Sequence, residues 1–199
     1  MARPVITVAA LVPACLLFLA PGAGGPLGAA ETAPLEQTTA HLEQTTAPAT
    51  CDTPQHHQLD FWVGDWQVFD AATNRLVALD QVRKRFAGCI VEENLTFLTD
   101  MYRRPGVQVR LAGIAVNRFD GTQWLQMWAD NQWGAIFLRG TPGAEGDMVF
   151  VTVIPSRERD VKLVYRKGAD GTVRILQYVA PAGSGKWQKY GDLINRPNR

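Results

Sequence analysis

The segment Val109-Arg110-Leu111-Ala112-Gly113-Ile114-Ala115-Val116-Asn117-Arg118-Phe119-Asp120-Gly121-Thr122-Gln123-Trp124-Leu125-Gln126-Met127-Trp128-Ala129-Asp130 decides how the chain is read. Two alternating stretches meet at Asp120-Gly121, a dipeptide that tolerates the positive φ of tight hairpin turns. Outward from this hairpin the pattern repeats. Short β-branched, aromatic and aliphatic runs predict strands at 66–70, 76–86, 89–98, 107–119, 123–130, 135–139, 148–154, 161–167, 173–179 and 189–196. The breaks carry turn chemistry, among them Ala72-Thr73-Asn74, Arg104-Pro105-Gly106, Thr141-Pro142-Gly143, Asp170-Gly171 and Gly183-Ser184-Gly185. No amphipathic helix of normal length is expected after residue 70. A chain of hairpins this long must hide its edges, either by closing into a barrel or by stacking two sheets.

Alternation assigns faces within each strand. Cys89, Val91, Glu93, Leu95 and Phe97 share the more apolar face of their strand, so Glu93 is a carboxylate in apolar company. Asn117 stands likewise among Val109, Leu111, Gly113, Ala115 and Phe119. In the following strand Trp124, Gln126, Trp128 and Asp130 oppose Gln123, Leu125, Met127 and Ala129, and periodicity alone leaves the inward side open.

The composition is that of a folded domain, with 46% hydrophobic and 20% charged residues in 199. Twenty Lys and Arg against nineteen Asp and Glu leave a net charge of +1, without the basic excess of a nucleic-acid binder. Six Trp are about twice the usual number for this length, and rings of that size must line a core, a cavity or an interface.

Residues 1–30 have the layout of a secretory signal: Arg3, an apolar run from Val5 to Ala20, then small residues, with a cut expected near Ala30 and Glu31 or earlier near Gly22. Pro13 interrupts the run, which falls short of the roughly 20 apolar residues that span a bilayer. Secreted or periplasmic export is expected, with no stable membrane insertion once the signal is removed. Val12-Pro13-Ala14-Cys15 offers a lesser lipoprotein reading through Cys15. Residues 31–50, rich in Thr, Ala, Pro and Gln, read as a flexible linker, and the domain is expected over 51–199. Cys51 and Cys89 then remain, and in an exported domain two cysteines are expected to pair. Closing a loop of about 39 residues is worth roughly 4 kcal/mol in the chain-entropy model.

Phe61-Trp62-Val63-Gly64-Asp65-Trp66 contains Gly64-x-Trp66, which resembles the opening of lipocalins and fatty-acid-binding proteins, where the Trp closes one end of an antiparallel barrel. Further stretches extend the likeness. They are His57-Gln58-Leu59-Asp60, Gly88-Cys89 with Glu93, Asn117-Arg118-Phe119-Asp120, Trp124-x-Gln126-x-Trp128-x-Asp130, Asp170-Gly171-x-Val173-Arg174 and Gly185-Lys186-Trp187. Together they resemble a family of exported bacterial proteins of unknown function with a calycin-like barrel. Ile175, Ala180, Ala182 and Ile194 depart from the family pattern.

The resemblance implies an all-β fold, a single lipocalin-like antiparallel barrel of about eight to ten strands, with Trp62, Gly64 and Trp66 closing one end. It also turns Glu93, Asn117 and Gln126 inward among Phe119, Trp124, Trp128 and Tyr165, and these seven residues form the candidate ligand site. Buried without partners, such groups would cost several kcal/mol, so they either bond to one another or await a ligand. Arg110, Arg118, Lys162 and Arg166 fall on outward faces, which suits a neutral or cationic hydrophobic molecule better than a fatty acid. Two other readings remain open: a small enzyme with Glu93 as general acid or base, and an interaction module whose core is filled. No cofactor or metal is expected. His56 and His57 precede the first strand and read as solvated, so haem is disfavoured.

Overall fold

The computed structural model describes residues 51–153 and 159–198. The expected signal segment, Cys15 and the linker at 31–50 lie outside the described residues. Ten strands follow one another: β1 (Gly64–Asp70), β2 (Leu76–Arg85), β3 (Ile90–Phe97), β4 (Ala112–Phe119), β5 (Trp124–Asp130), β6 (Gly134–Pro142), β7 (Met148–Thr152), β8 (Arg159–Lys167), β9 (Val173–Pro181) and β10 (Gln188–Pro197). Each pairs antiparallel with its sequence neighbours, and β1 pairs with β10, so the sheet closes into a barrel without a free edge. The expected all-β antiparallel barrel is found, at the upper end of the expected strand number.

The Asp-Gly hairpins form for the predicted reason. Gly121 and Gly171 take φ of +103° and +80°, and each preceding Asp carboxylate caps its turn, Asp120 accepting from the Thr122 and Gln123 amides and Asp170 from the Thr172 amide. One expected strand is cut short. Residues 107–111 alternate like a strand but belong to the long β3–β4 connection, because side chains of the β5–β6 turn take up their backbone. Asn131 donates to the Arg110 carbonyl at 2.9 Å and accepts from the Ala112 amide at 3.1 Å, while Gln132 donates to the Val109 carbonyl at 2.9 Å. The predicted 148–154 strand also ends early, at Thr152.

Two short 3-10 turns, Pro54–His57 and Asp60–Trp62, lie across one end of the barrel and bury Leu59 and Trp62 completely. The Trp66 indole donates to the Trp62 carbonyl at 2.8 Å, and the Trp124 indole to Gln58 Oε1 at 3.1 Å. A Cβ on Gly64 would come within 3.2 Å of the Trp66 ring, which accounts for the Gly-x-Trp spacing. The Cys51–Cys89 disulfide, with Cα atoms 4.9 Å apart, ties the start of this plug to the β2–β3 turn. His57 is exposed and engaged by Asp52 at 2.9 Å and Asp60 at 2.6 Å, and Lys84 reaches Asp60 at 2.6 Å. Trp187 immediately precedes β10, and its ring covers the Lys162 ammonium on the outer wall, 4.8 Å away.

Inside, small residues make room for rings on neighbouring strands. Trp128 leans over Gly113 and the fully buried Phe150 over Gly140. Gly140→Ala should therefore cost about 1–3 kcal/mol in denaturant unfolding, since Phe150 has nowhere to move. Reducing the disulfide should lower unfolding stability by about 2–4 kcal/mol, measured as a shift of the denaturant midpoint with and without reductant.

Candidate functional site

The closed register converts the alternation of single strands into a polar band around the barrel interior. Glu93 sits opposite Val82 and Ala115, Asn117 opposite Val91 and Gln126, and Asp80 opposite Trp66 and Leu95. Asn195 joins from β10, opposite Val68 and Val173. All five are at least nine-tenths buried.

Some of their hydrogen-bonding capacity is met internally. Asn117 donates to the Val91 carbonyl at 3.0 Å, and Asn195 donates to Asp80 Oδ2 at 3.1 Å. The Gln126 amide faces the buried Tyr165 hydroxyl and opposes the rise in its pKa that burial imposes. Five buried acceptor oxygens nevertheless have no protein partner: Oδ1 of Asp80, Asn117 and Asn195, and Oε1 of Gln126 and Gln177. Leaving each unpaired costs about 1–3 kcal/mol.

The band contains two acids. Burial pushes the Asp80 carboxyl up to about 7, against the opposing pull of the Trp62 indole and the Asn195 amide. Of these two, Asn195 makes the well-formed bond, whereas the Trp62 N–H stops short of one. Glu93 is held well above the ordinary carboxyl value, first by burial and then by the nearby Asp80. Two acids that repel each other in a dry interior do not both ionise at neutral pH. Among the described residues the inward positions supply no compensating base. Arg118 and Arg166 are exposed, Lys162 lies over Tyr178 on the outer wall, and Lys84 is held by Asp60 at the closed end.

The other candidate residues fall into two groups. Phe119 and the fully buried Trp124 belong to the closed end: their rings are 6.0 Å apart, and His56 meets the edge of Phe119 at 5.3 Å. Tyr165 stands between the plug and the band, with ring contacts to Trp62 at 4.7 Å and Phe150 at 5.6 Å. Trp128 is partly accessible above the band, beside Ile136, and its indole donates to Asp130 at 2.8 Å.

The opposite end is covered by Tyr102 from the β3–β4 connection. Its ring meets Phe97 at 5.3 Å and Tyr190 at 5.8 Å, and its hydroxyl lies where a Cβ on Gly191 would stand, beside Gln177. Gln132 pins this connection, accepting from the Arg104 amide at 2.7 Å. A cleft of about 630 Å³ opens outside Tyr102, lined also by Met101, Tyr190 and Asp192. A second, of about 300 Å³, runs along Leu95 and Gly113. The sequence matches no known protein-family model and no curated protein. No helix among the described residues is long and apolar enough to cross a membrane.

Sequence reasoning missed Asp80, Asn195 and Tyr102. Asp80 was findable, because it interrupts the alternating Ala78 and Val82 just as Glu93 interrupts Val91 and Leu95. Tyr102 carries no periodic signal in a connection without regular structure.

The raised carboxyls make stability depend on pH in a definite sense. Their protonated forms favour the fold; the Asp80 contribution is complete below about pH 4 and is lost as pH rises through about 7, and Glu93 acts in the same sense. His57, raised by its Asp60 and Asp52 hydrogen bonds, titrates in the same sense, whereas the lowered Asp70, Asp120 and Asp192 act only at more acidic pH. Asp80→Asn should therefore flatten the fall in unfolding midpoint between about pH 5 and pH 8 relative to wild type. An unchanged slope would mean that the carboxyl is not buried as described.

Proposed function

We propose that the protein is an exported barrel that binds a small hydrophobic molecule, neutral or cationic, against its inward polar band. The observation that carries this reading is that, among the described residues, five buried acceptor oxygens on strands of an aromatic-lined barrel have no protein partner. Asn117, Gln126 and Glu93 would fix the polar part of the ligand, Trp128 and Tyr165 would flank its apolar part, and Trp124 with Phe119 would form the floor. Tyr102 would have to swing aside to admit it. The resemblance to exported calycin-like barrels supports the same reading, and the Cys51–Cys89 disulfide is compatible with an extracytoplasmic location.

The burial of Glu93 on the same face as Asp80 favours a second reading, in which Glu93 acts as general acid or base on the bound molecule. Native mass spectrometry of protein purified from its own host should show a co-purified small molecule, lost on denaturation. Ligand-free protein that also fails to bind hydrophobic probes would leave a module with a filled core. Glu93→Gln separates the other two readings: altered affinity without any turnover identifies a binding protein, and loss of turnover with retained binding an enzyme. Tyr102→Ala should speed ligand entry, seen as a faster change in tryptophan fluorescence on mixing.

A further inference from the structure

Resting on the binding reading, we infer that the barrel selects hydrophobic organic cations carrying N–H groups, amines in their ammonium form, and takes them up beside the buried Asp80 and Glu93 in exchange for a carboxyl proton. The geometry leads there first. Asp80 on β2 and Glu93 on β3 share the interior face one register step apart, since Asp80 opposes Leu95 and Glu93 opposes Val82. Among the described residues the buried side-chain atoms without a partner are mostly acceptors: oxygens of Asp80, Asn117, Asn195, Gln126 and, toward the mouth, Gln177, against one donor, the Trp62 N–H. A ligand completing this set must bring donors. The aromatic walls, with Tyr165 between Trp62 and Phe150, add the π faces that favour cations.

The groups facing the pair from each packed element are few. Tyr165 on β8 feels both carboxyls. Asn117, Gln126 and Asn195 face the pair from β4, β5 and β10. Toward the closed end stand Lys84, held by Asp60, and His57. Toward the mouth stand Asp130, bonded to Trp128, and the phenols Tyr102 and Tyr190. Asp70, ending β1, is occupied by Thr73, and Lys167, ending β8, is exposed. The interior positions of β6, β7 and β9 carry no titratable side chain.

The exchange balances in atoms and charge. A carboxyl O–H bond breaks, its proton leaves to solvent, and the ammonium takes the place of that proton beside the new carboxylate. Among the described residues no base lies free on the interior face to neutralise a ligand carboxylate, so an anionic ligand would meet mostly acids and acceptors.

The test compares three probes on one skeleton, phenylbutylamine, phenylbutanol and phenylbutyrate, titrated calorimetrically into the wild-type protein in buffers of different ionisation enthalpy. The amine should bind at least ten-fold more tightly than the alcohol at pH 8 and release about one proton per molecule near pH 6. Its affinity should rise about ten-fold per pH unit below about pH 7, the Asp80 value, and level off above it. Alcohol binding equal to or tighter than the amine, or amine binding without proton release, overturns the inference while leaving hydrophobic binding intact. Failure of all three probes overturns both. Asp80→Asn, checked for folding by circular dichroism, should lose the proton release, and Glu93→Gln provides the same comparison should the first variant not fold.

Discussion

The pairing of β1 with β10 is the contact on which the rest of the structure depends. It sets Val68 beside Asn195 and Trp66 beside Pro197, bringing the last strand next to the first across more than a hundred residues of chain. Once it forms, no strand has an open edge, and every inward position becomes part of a closed interior. The Asn195 to Asp80 hydrogen bond exists only because β1 stands between β10 and β2. Closure therefore both stabilises the fold and assembles the polar band.

The two ends of the barrel are closed by different means. At one end the closure is covalent and hydrophobic: the disulfide, Leu59, Trp62 and Trp66 form a plug held by indole hydrogen bonds to Trp62 and Gln58. At the other end the long β3–β4 connection lies over the opening, with Tyr102, Met101 and the buried Leu111 packed on the core, Gln132 holding its backbone and a cleft beside it. A ring held by loop contacts is cheaper to displace than a buried strand or a disulfide loop. The asymmetry makes the Tyr102 end the more easily opened of the two.

The interior itself is a balance of unlike costs. Burying Asp80 and Glu93 disfavours their charged forms, and the amides around them satisfy only part of the demand for partners. A barrel optimised for stability alone would replace such a band with aliphatic side chains.

Local chemistry in the sequence was sufficient for the strands and their turns, because Asp-Gly geometry and period-two alternation act over a few residues. The same alternation exposed Glu93 and Asn117, each a polar side chain on an apolar face, and would have exposed Asp80. It misled at 107–111, where an extended chain finds its partners in Asn131 and Gln132 side chains, a choice made by residues some twenty positions away. The inward side of Trp124, Gln126, Trp128 and Asp130 could be read only by resemblance. Tertiary structure separated these rings, sending Trp124 to the plug and Trp128 to the accessible layer, because depth in a barrel depends on register between strands. What the chain determined by itself was its strands, its turns and the acidic residue out of place among aliphatic ones. The β2–β3 register, Asp80 opposite Leu95 and Glu93 opposite Val82, decided that this residue would meet a second acid, and closure decided that Asn195 of the last strand would join them, since hydrogen bonds between distant strands carry no local signature.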